Sequence, residues 1–401
     1  MRERNRILRE ADRLRKEQTP AALATIVEID GSSYRLEGAR MLVRPDGEYV
    51  GTISGGCLEG EVVERTKRVL ETGRPDLVPL EQREGEDPFG FGSGCGGTIH
   101  VLLEPLVGDA EASSPLSLLR RCMEERTARA LATVYRAEGD LQAEQSRHLL
   151  LTAQEASGWG NIESDALWNA IAEDAGEVLQ EGRSRQTAYA LPEGRADVLI
   201  EHVVPPLRLL IVGEEHDAAP LVAQANLLGW VPVIVGSSPA PDLEQQFPEA
   251  AGHVSLPHPE AVSDRLPKIG PRDAAVAMSH NYIRDRAVLR FLLQSDAGYV
   301  GALGARSRLE RLAEDFAKGE RPEDRAAREA IVDGRLHAPV GLDIGAETPE
   351  EIALSIAAEI QAVFAGAEGG FLAEGTGRIH PSAMRAKSAA STAGSSDDTT
   401  P

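Results

Sequence analysis

Pro205-Pro206-Leu207-Arg208-Leu209-Leu210-Ile211-Val212-Gly213-Glu214-Glu215-His216-Asp217-Ala218 is the stretch on which the fold of this 401-residue chain turns. A proline pair marks a boundary, a nearly unbroken apolar run follows, and a glycine then opens a polar turn into a helical pattern. A short apolar run bounded by turn signals reads as a strand buried on both faces, as strands of parallel sheets are. Helical spacing follows over roughly 218–228, then a strand at Val231–Val235. Further strands are expected near Ala274–Met278 and Tyr299–Leu303, with helices between them and one near Pro349–Phe364. Such alternation predicts a parallel sheet with right-handed crossovers.

Residues 205–368 are therefore expected to form a Rossmann-like α/β domain. Its dinucleotide fingerprint fails, however. The second glycine of G-x-G-x-x-G/A is replaced by Glu215, whose carboxylate crowds and repels a pyrophosphate. The second strand ends in Val235-Gly236-Ser237-Ser238, without the acid that holds an adenine ribose. The frame is retained and NAD is disfavoured. Loops Met278-Ser279-His280-Asn281-Tyr282, Gly304–Arg308 and Pro339–Gly345 follow strands, on the carboxyl edge where such sheets bind ligands. His216 and His280 are expected to face one crevice there, though each alone also fits a hydrogen-bonded structural role.

Upstream of the prolines the pattern is α+β over 1–204: a charged helix over 1–18, strands at Ala22–Val27, Met41–Val43 and Tyr49–Ile53, and a helix from Leu58 to Leu70 stopping at Gly73. A strand over Thr98–Leu103 follows a polar stretch. Much of this repeats. Ala130-Leu131-Ala132-Thr133-Val134 echoes Ala22–Ile26 at an offset of 108, and Leu179–Arg183 echoes Leu70–Arg74 at 109. Val198-Leu199-Ile200-Glu201 echoes Val101-Leu102-Leu103-Glu104 at 97, so the second copy lacks about a dozen residues, matching the glycine-rich loop around Cys95. A duplicated module over 20–105 and 128–203 is the reading, with Cys57 falling on Asp165 or Ala166 of the second copy.

Lys and Arg number 42 against 64 Asp and Glu, a formal charge of -22, which repels nucleic-acid phosphates and anionic lipid. No apolar run is long enough for a transmembrane helix, and the charged start Met1–Arg6 lacks a signal-peptide core, so a cytoplasmic location is expected. Residues 369–401, rich in Ser, Thr, Ala and Gly, are expected to be a disordered tail.

Three cysteines are too few for a disulfide framework. Cys122, on a helical stretch, reads as core. Cys57 sits in Ser54-Gly55-Gly56-Cys57-Leu58-Glu59, where a strand turns into a helix, so free amides and the helix dipole are expected to favour its thiolate. Cys95 lies in Gly90-Phe91-Gly92-Ser93-Gly94-Cys95-Gly96-Gly97, a loop able to wrap a ligand with N–H groups. Small buried hydrophobes are the competing explanation for both. Their spacing is a poor zinc signature, and soft thiolates suit a soft or sulfur-rich partner. Between the first two strands, Ser33, Arg35 and Arg40 lie on a glycine-bounded loop where the arginines suit a phosphate or carboxylate, plain solvated side chains being the competing reading.

Together, Gly31-Ser32-Ser33, Gly38-Ala39-Arg40-Met41, Gly55-Gly56-Cys57-Leu58-Glu59 and Gly94-Cys95-Gly96-Gly97 resemble the XdhC/CoxI maturation family. So do Met278-Ser279-His280-Asn281 with Asp285, Tyr299-Val300-Gly301 and Pro339–Ile344, although the family's Gly-x-Gly-His is altered to Gly213-Glu214-Glu215-His216. The resemblance covers roughly residues 5–370. It implies a chaperone, without turnover of its own, for the molybdenum cofactor (molybdopterin). Such a protein protects the cofactor while a cysteine desulfurase adds a sulfido ligand, then inserts it into the large subunit of a xanthine dehydrogenase or carbon monoxide dehydrogenase type molybdoenzyme. On that reading Cys57 and Cys95 are soft ligands or guards for the metal. Gly55, Gly56, Gly94, Gly96, Gly97, Ser33, Arg35, Arg40, His216 and His280 are the further binding candidates. An NAD(P)-dependent oxidoreductase and a docking scaffold without cofactor are the competing functions. A homo-oligomer is compatible with the pattern and not required by it.

Overall fold

Ala22–Ile26 and Ala130–Val134, the two echoing stretches, each run through the middle strand of a five-stranded antiparallel sheet. The computed structural model describes residues 2–31, 33–81, 97–106, 113–152, 158–319 and 321–374. It divides between Val204 and Pro205 into two compact units, with residues 2–5 at the start of the chain grouped with the second.

In the first unit, α1 (Arg2–Lys16) leads into β1 (Ala21–Asp30), β2 (Arg40–Val43), β3 (Tyr49–Gly51), α2 (Glu59–Thr72), β4 (Asp76–Glu81) and β5 (Thr98–Leu106). The sheet order is β3-β2-β1-β5-β4. After α3 (Pro115–Glu125) come β6 (Arg129–Gly139), β7 (His148–Leu151), β8 (Trp159–Gly160), α4 (Asp165–Glu181), β9 (Arg185–Leu191) and β10 (Gly194–Val203). Their order is β8-β7-β6-β10-β9, element for element the same. Register matches too: Ala22 pairs with Val43 and Thr25 with Arg40, as Ala130 pairs with Leu151 and Thr133 with His148.

The period-2 alternation of these strands sets the layers. Ala22, Ala24, Ile26, Met41 and Val43 pack under Val62 and Val69 of α2, and Ala130, Ala132, Val134, Leu149 and Leu151 under Leu167, Ile171 and Val178 of α4. The alternate residues Leu23, Leu42, Leu131 and Leu150 meet in one shared cluster with residues of α1 and α3, including the buried Cys122. The sheets thus face each other, with α2 and α4 outside. The edge strands β4 and β9 are additions to the pattern expected from sequence. Asp76-Leu77-Val78-Pro79-Leu80-Glu81 buries only Val78 and Leu80, and its proline is tolerated because the strand lies on an edge.

The second unit holds β11 (Arg208–Val212), α5 (Ala218–Leu228), β12 (Val231–Gly236), α6 (Ala240–Gln246), β13 (Gly252–Ser255), α7 (Val262–Arg265) and β14 (Asp273–Ala277). It continues through α8 (Tyr282–Leu292), β15 (Tyr299–Ala302), α9 (Arg306–Lys318), α10 (Pro322–Val332), β16 (Leu336–His337) and α11 (Pro349–Ala365). All six strands are parallel, in the order β13-β12-β11-β14-β15-β16, so the direction in which strands are added reverses between β11 and β14. Leu209 and Ile211 face α5 and α11, whereas Leu210 and Val212 face α8 and α9. Burial on both faces is why the opening run carries no alternation.

Candidate functional site

The turn from β3 into α2 is built around one carboxylate. Glu59, in the first turn of α2, folds back so that its Oε1 accepts from the amides of Ile53 (3.2 Å), Ser54 (3.0 Å) and Gly55 (3.1 Å) and from Thr52 Oγ1 (2.7 Å). Its Oε2 accepts from the amides of Gly56 (2.9 Å) and Leu58 (3.2 Å) and from Ser54 Oγ (2.5 Å). Gly55 (φ 82°) and Gly56 (φ 121°) take the left-handed conformations that turn these amides inward. Burial disfavours the charge on Glu59, but the Ser54 hydroxyl and amide and the Thr52 hydroxyl outweigh it and bring the pKa down to about 2.

This corrects one expectation. The loop amides expected to meet a ligand and to act on Cys57 converge on Glu59 instead. Cys57 itself is exposed on this turn. Glu59 carries no role in the sequence expectations, though an acid at the first helical position is a legible signal of a partner for amides. Gly94, Cys95 and Gly96 lie outside the described residues, and Gly97 is half-buried just before β5.

The loop between β1 and β2 reaches the same turn. Tyr34 packs on Gly55, with ring atoms Cδ1 and Cε1 3.1 Å from where a β-carbon would stand. Ser33 Oγ accepts from the Arg35 amide at 3.4 Å, a local turn, and Arg35 is half-buried. Arg40 is a second correction. Its guanidinium is buried, forked on Glu201 of β10 with Nη1 2.9 Å from Oε1, and also donates to the Gly38 carbonyl at 2.9 Å. It joins the two sheets rather than presenting an anion grip, because the β2 register points it into the sheet interface. The reciprocal position carries His148, whose Nε2 lies 2.8 Å from Glu104 of β5. Ser146 Oγ also donates to Glu104, at 2.6 Å.

In the second unit, loops after β11 and β14 meet at the strand-order reversal. Glu215 Oε2 accepts from the Glu214 amide (2.9 Å) and Oε1 from the His280 amide (3.4 Å), so its carboxylate sits at the mouth where a pyrophosphate would lie. Glu214 reaches the end of β12, accepting from Ser237 Oγ (2.5 Å) and the Ser238 amide (3.0 Å). Burial works against that charge, but these donors hold the pKa below the usual carboxylate range. An acid therefore does stand at the end of the second strand, supplied by a neighbouring loop, which corrects the reading from Val235–Ser238. His216 and His280 are both exposed, on loops tied together by Glu215. Beneath them Asp285 accepts from Ser279 Oγ (2.5 Å) and Arg308 Nη2 (2.6 Å). Burial nonetheless pushes Asp285 up to about 6.

Among the described residues no group of three His, Cys, Asp or Glu side chains is arranged to hold a metal ion, and no helix is long and apolar enough to cross a membrane.

A doubly wound domain following a paired antiparallel module with a glycine–cysteine turn defines a recognisable class. The model of the XdhC and CoxI family matches residues 14–81 and again 122–190, and that of the XdhC Rossmann domain matches 209–360. The chain belongs to this family. It is 32% identical over 352 residues to a Bacillus subtilis protein named as a probable xanthine dehydrogenase subunit, covering 87% of this chain and 94% of that one. It is 26% identical to the molybdenum cofactor insertion chaperone PaoD of Escherichia coli, covering 86% of this chain and 83% of PaoD. A crystal structure of a Bacillus halodurans protein named a xanthine dehydrogenase superposes with a TM-score of 0.66 at 27% identity, covering 90% of this chain and 96% of that one.

Proposed function

We propose that this protein binds the molybdenum cofactor, guards it during sulfuration by a cysteine desulfurase, and delivers it to a xanthine dehydrogenase or carbon monoxide dehydrogenase type enzyme. The observation that carries this reading is the exposed Cys57 on a turn fixed by the Glu59 carboxylate. A held, accessible thiol is what a soft metal with sulfur ligands requires of a temporary host. Cys95 is assigned to the same task from its glycine-rich sequence. The name of PaoD, a molybdenum cofactor insertion chaperone, supports the cargo. In this role the cofactor is cargo, and the side chains hold and shield it without chemical turnover.

The test is anaerobic loading of the full chain with molybdenum cofactor, removal of free cofactor, and fluorescence of the oxidised pterin that remains. Wild type is expected to retain pterin and molybdenum, and a Cys57→Ala/Cys95→Ala variant to lose most of both. Equal retention by the two proteins sinks the thiol role.

A nicotinamide-dependent oxidoreductase is the second reading, favoured by Glu214 at the end of β12, the place of a ribose-binding acid. Glu215 at the pyrophosphate seat opposes it. Saturable binding of NAD or NADP in a direct titration would revive it.

A further inference from the structure

We propose that Tyr34 is a stacking shelf for the flat heterocycle of the cargo, a pterin-class ring, beside Cys57. This rests on the proposed function and names which part of the cargo meets which side chain.

Tyr34 is 69% exposed, which for an aromatic residue on a loop calls for no explanation by itself. What sets it apart is that the loop around it is held while the ring is left open. The Gly38 amide donates to the Ile26 carbonyl at 2.8 Å, and the Ala39 amide to Leu36 at 3.2 Å. Arg40, locked by Glu201, donates to the Gly38 carbonyl, and Glu201 itself presses on Gly38. From β9, Gln186 Nε2 donates to the Val27 carbonyl at 2.8 Å and to Glu37 at 3.5 Å. The second module thus braces the loop of the first.

Next to the ring, Gly55 and Gly56 are exposed backbone. Tyr34 lies on Gly55, and a β-carbon at Gly56 would meet nothing within 4 Å. An aromatic face, a strip of backbone without side chains and an exposed thiol therefore adjoin. Flat heterocycles gain by offset stacking on a phenol ring, and a bare glycine lets them approach closely. The arrangement is confined to the copy that keeps its cysteine. The offset of 108 puts Gln142 at the position of Tyr34.

The experiment titrates full-length protein into pterin itself, following quenching of the pterin fluorescence, for wild type, Tyr34→Phe, Tyr34→Trp and Tyr34→Ala. Expected are saturable binding by wild type, retention in the Phe and Trp variants, and about a 10-fold weaker Kd in Tyr34→Ala with an unchanged melting temperature. Absence of saturable quenching by wild type, or equal Kd in Tyr34→Ala, overturns the shelf. Failure of the parent reading looks different: molybdenum retention indifferent to both cysteines, with pterin binding still dependent on Tyr34.

Discussion

The two halves of the first unit share strand order, register and helix placement, yet they close the turn before the helix in opposite ways. Before α2, Glu59 reaches back from the helix itself, and the β1–β2 loop, braced through Gly38 and Gln186, lays Tyr34 on Gly55. Before α4, the carboxylate comes from the strand connection: Glu144 accepts from the Glu163 amide at 3.1 Å and the Ser164 amide at 2.8 Å. That contact pins the β6–β7 connection onto the helix start. One module thus closes its turn from the helix and leaves Gly55, Gly56 and Cys57 exposed, and the other ties the same place to its β6–β7 connection. A repeated frame fixes where a turn falls, while the carboxylate that closes it comes from either side of the turn.

The largest expected effect tests the brace between the sheets. Arg40→Met strands the buried Glu201 and is expected to cost about 3–5 kcal/mol in urea unfolding, with Arg40→Met/Glu201→Leu recovering most of it. His148→Leu, at the reciprocal position, should cost less, about 1–3 kcal/mol, because Ser146 still donates to Glu104. A larger loss at His148 than at Arg40 would break the proposed asymmetry.

Glu59→Gln turns an amide group toward inward-pointing N–H donors, and about 2–3 kcal/mol should be lost. Alkylation of Cys57 should also change rate in this variant. Glu144→Gln should destabilise the second module and leave Cys57 alkylation as it was, and a rate change there would mean the two turns are not independent.

Acid should separate Glu59 from Asp285. The Glu59 pKa is depressed, so its contribution is present above the ordinary carboxylate pKa and is lost as pH falls toward about 2. Asp285 is raised from 3.8 to about 6, so its contribution is full below 3.8 and is lost as pH rises through 6, by about 1–3 kcal/mol. Melting curves of wild type and Asp285→Asn between pH 3 and 7 should therefore diverge in the variant's favour as pH rises over about 4 to 6. A constant difference would show that Asp285 does not titrate there.

A smaller effect is expected at the helix starts. Ser164 Oγ accepts from the Leu167 amide at 3.2 Å, so Ser164→Ala should cost about 1 kcal/mol. Cys57→Ser, on an exposed site, should stay within about 0.5 kcal/mol in the same unfolding assay.

Much of the frame is legible in residues. The run Leu207–Val212 announces a strand buried on both faces, Gly73 ends α2 in the left-handed conformation (φ 64°), and Cys122 belongs to the core. Strands with few buried side chains, such as β4, β13 and β16, leave no periodic trace, because an edge strand is held by backbone pairing more than by an apolar face. The site is less legible. Its glycines and Cys57 stand out, but where the amides point depends on φ values, and Arg40 looks like any loop arginine until its register is known.

By itself the sequence determined the alternation of elements, the repeat and the loops rich in glycine and cysteine, since these follow from local propensity and from spacing along the chain. Only the tertiary structure decided what those loops do with their polar groups. Glu59 closes the amide nest, Arg40 meets Glu201 from 161 residues away, and Glu214 supplies the acid that β12 lacks, all through partners brought together by folding. A buried donor or acceptor must find a partner wherever folding brings one within reach, and spacing along the chain does not say where that will be.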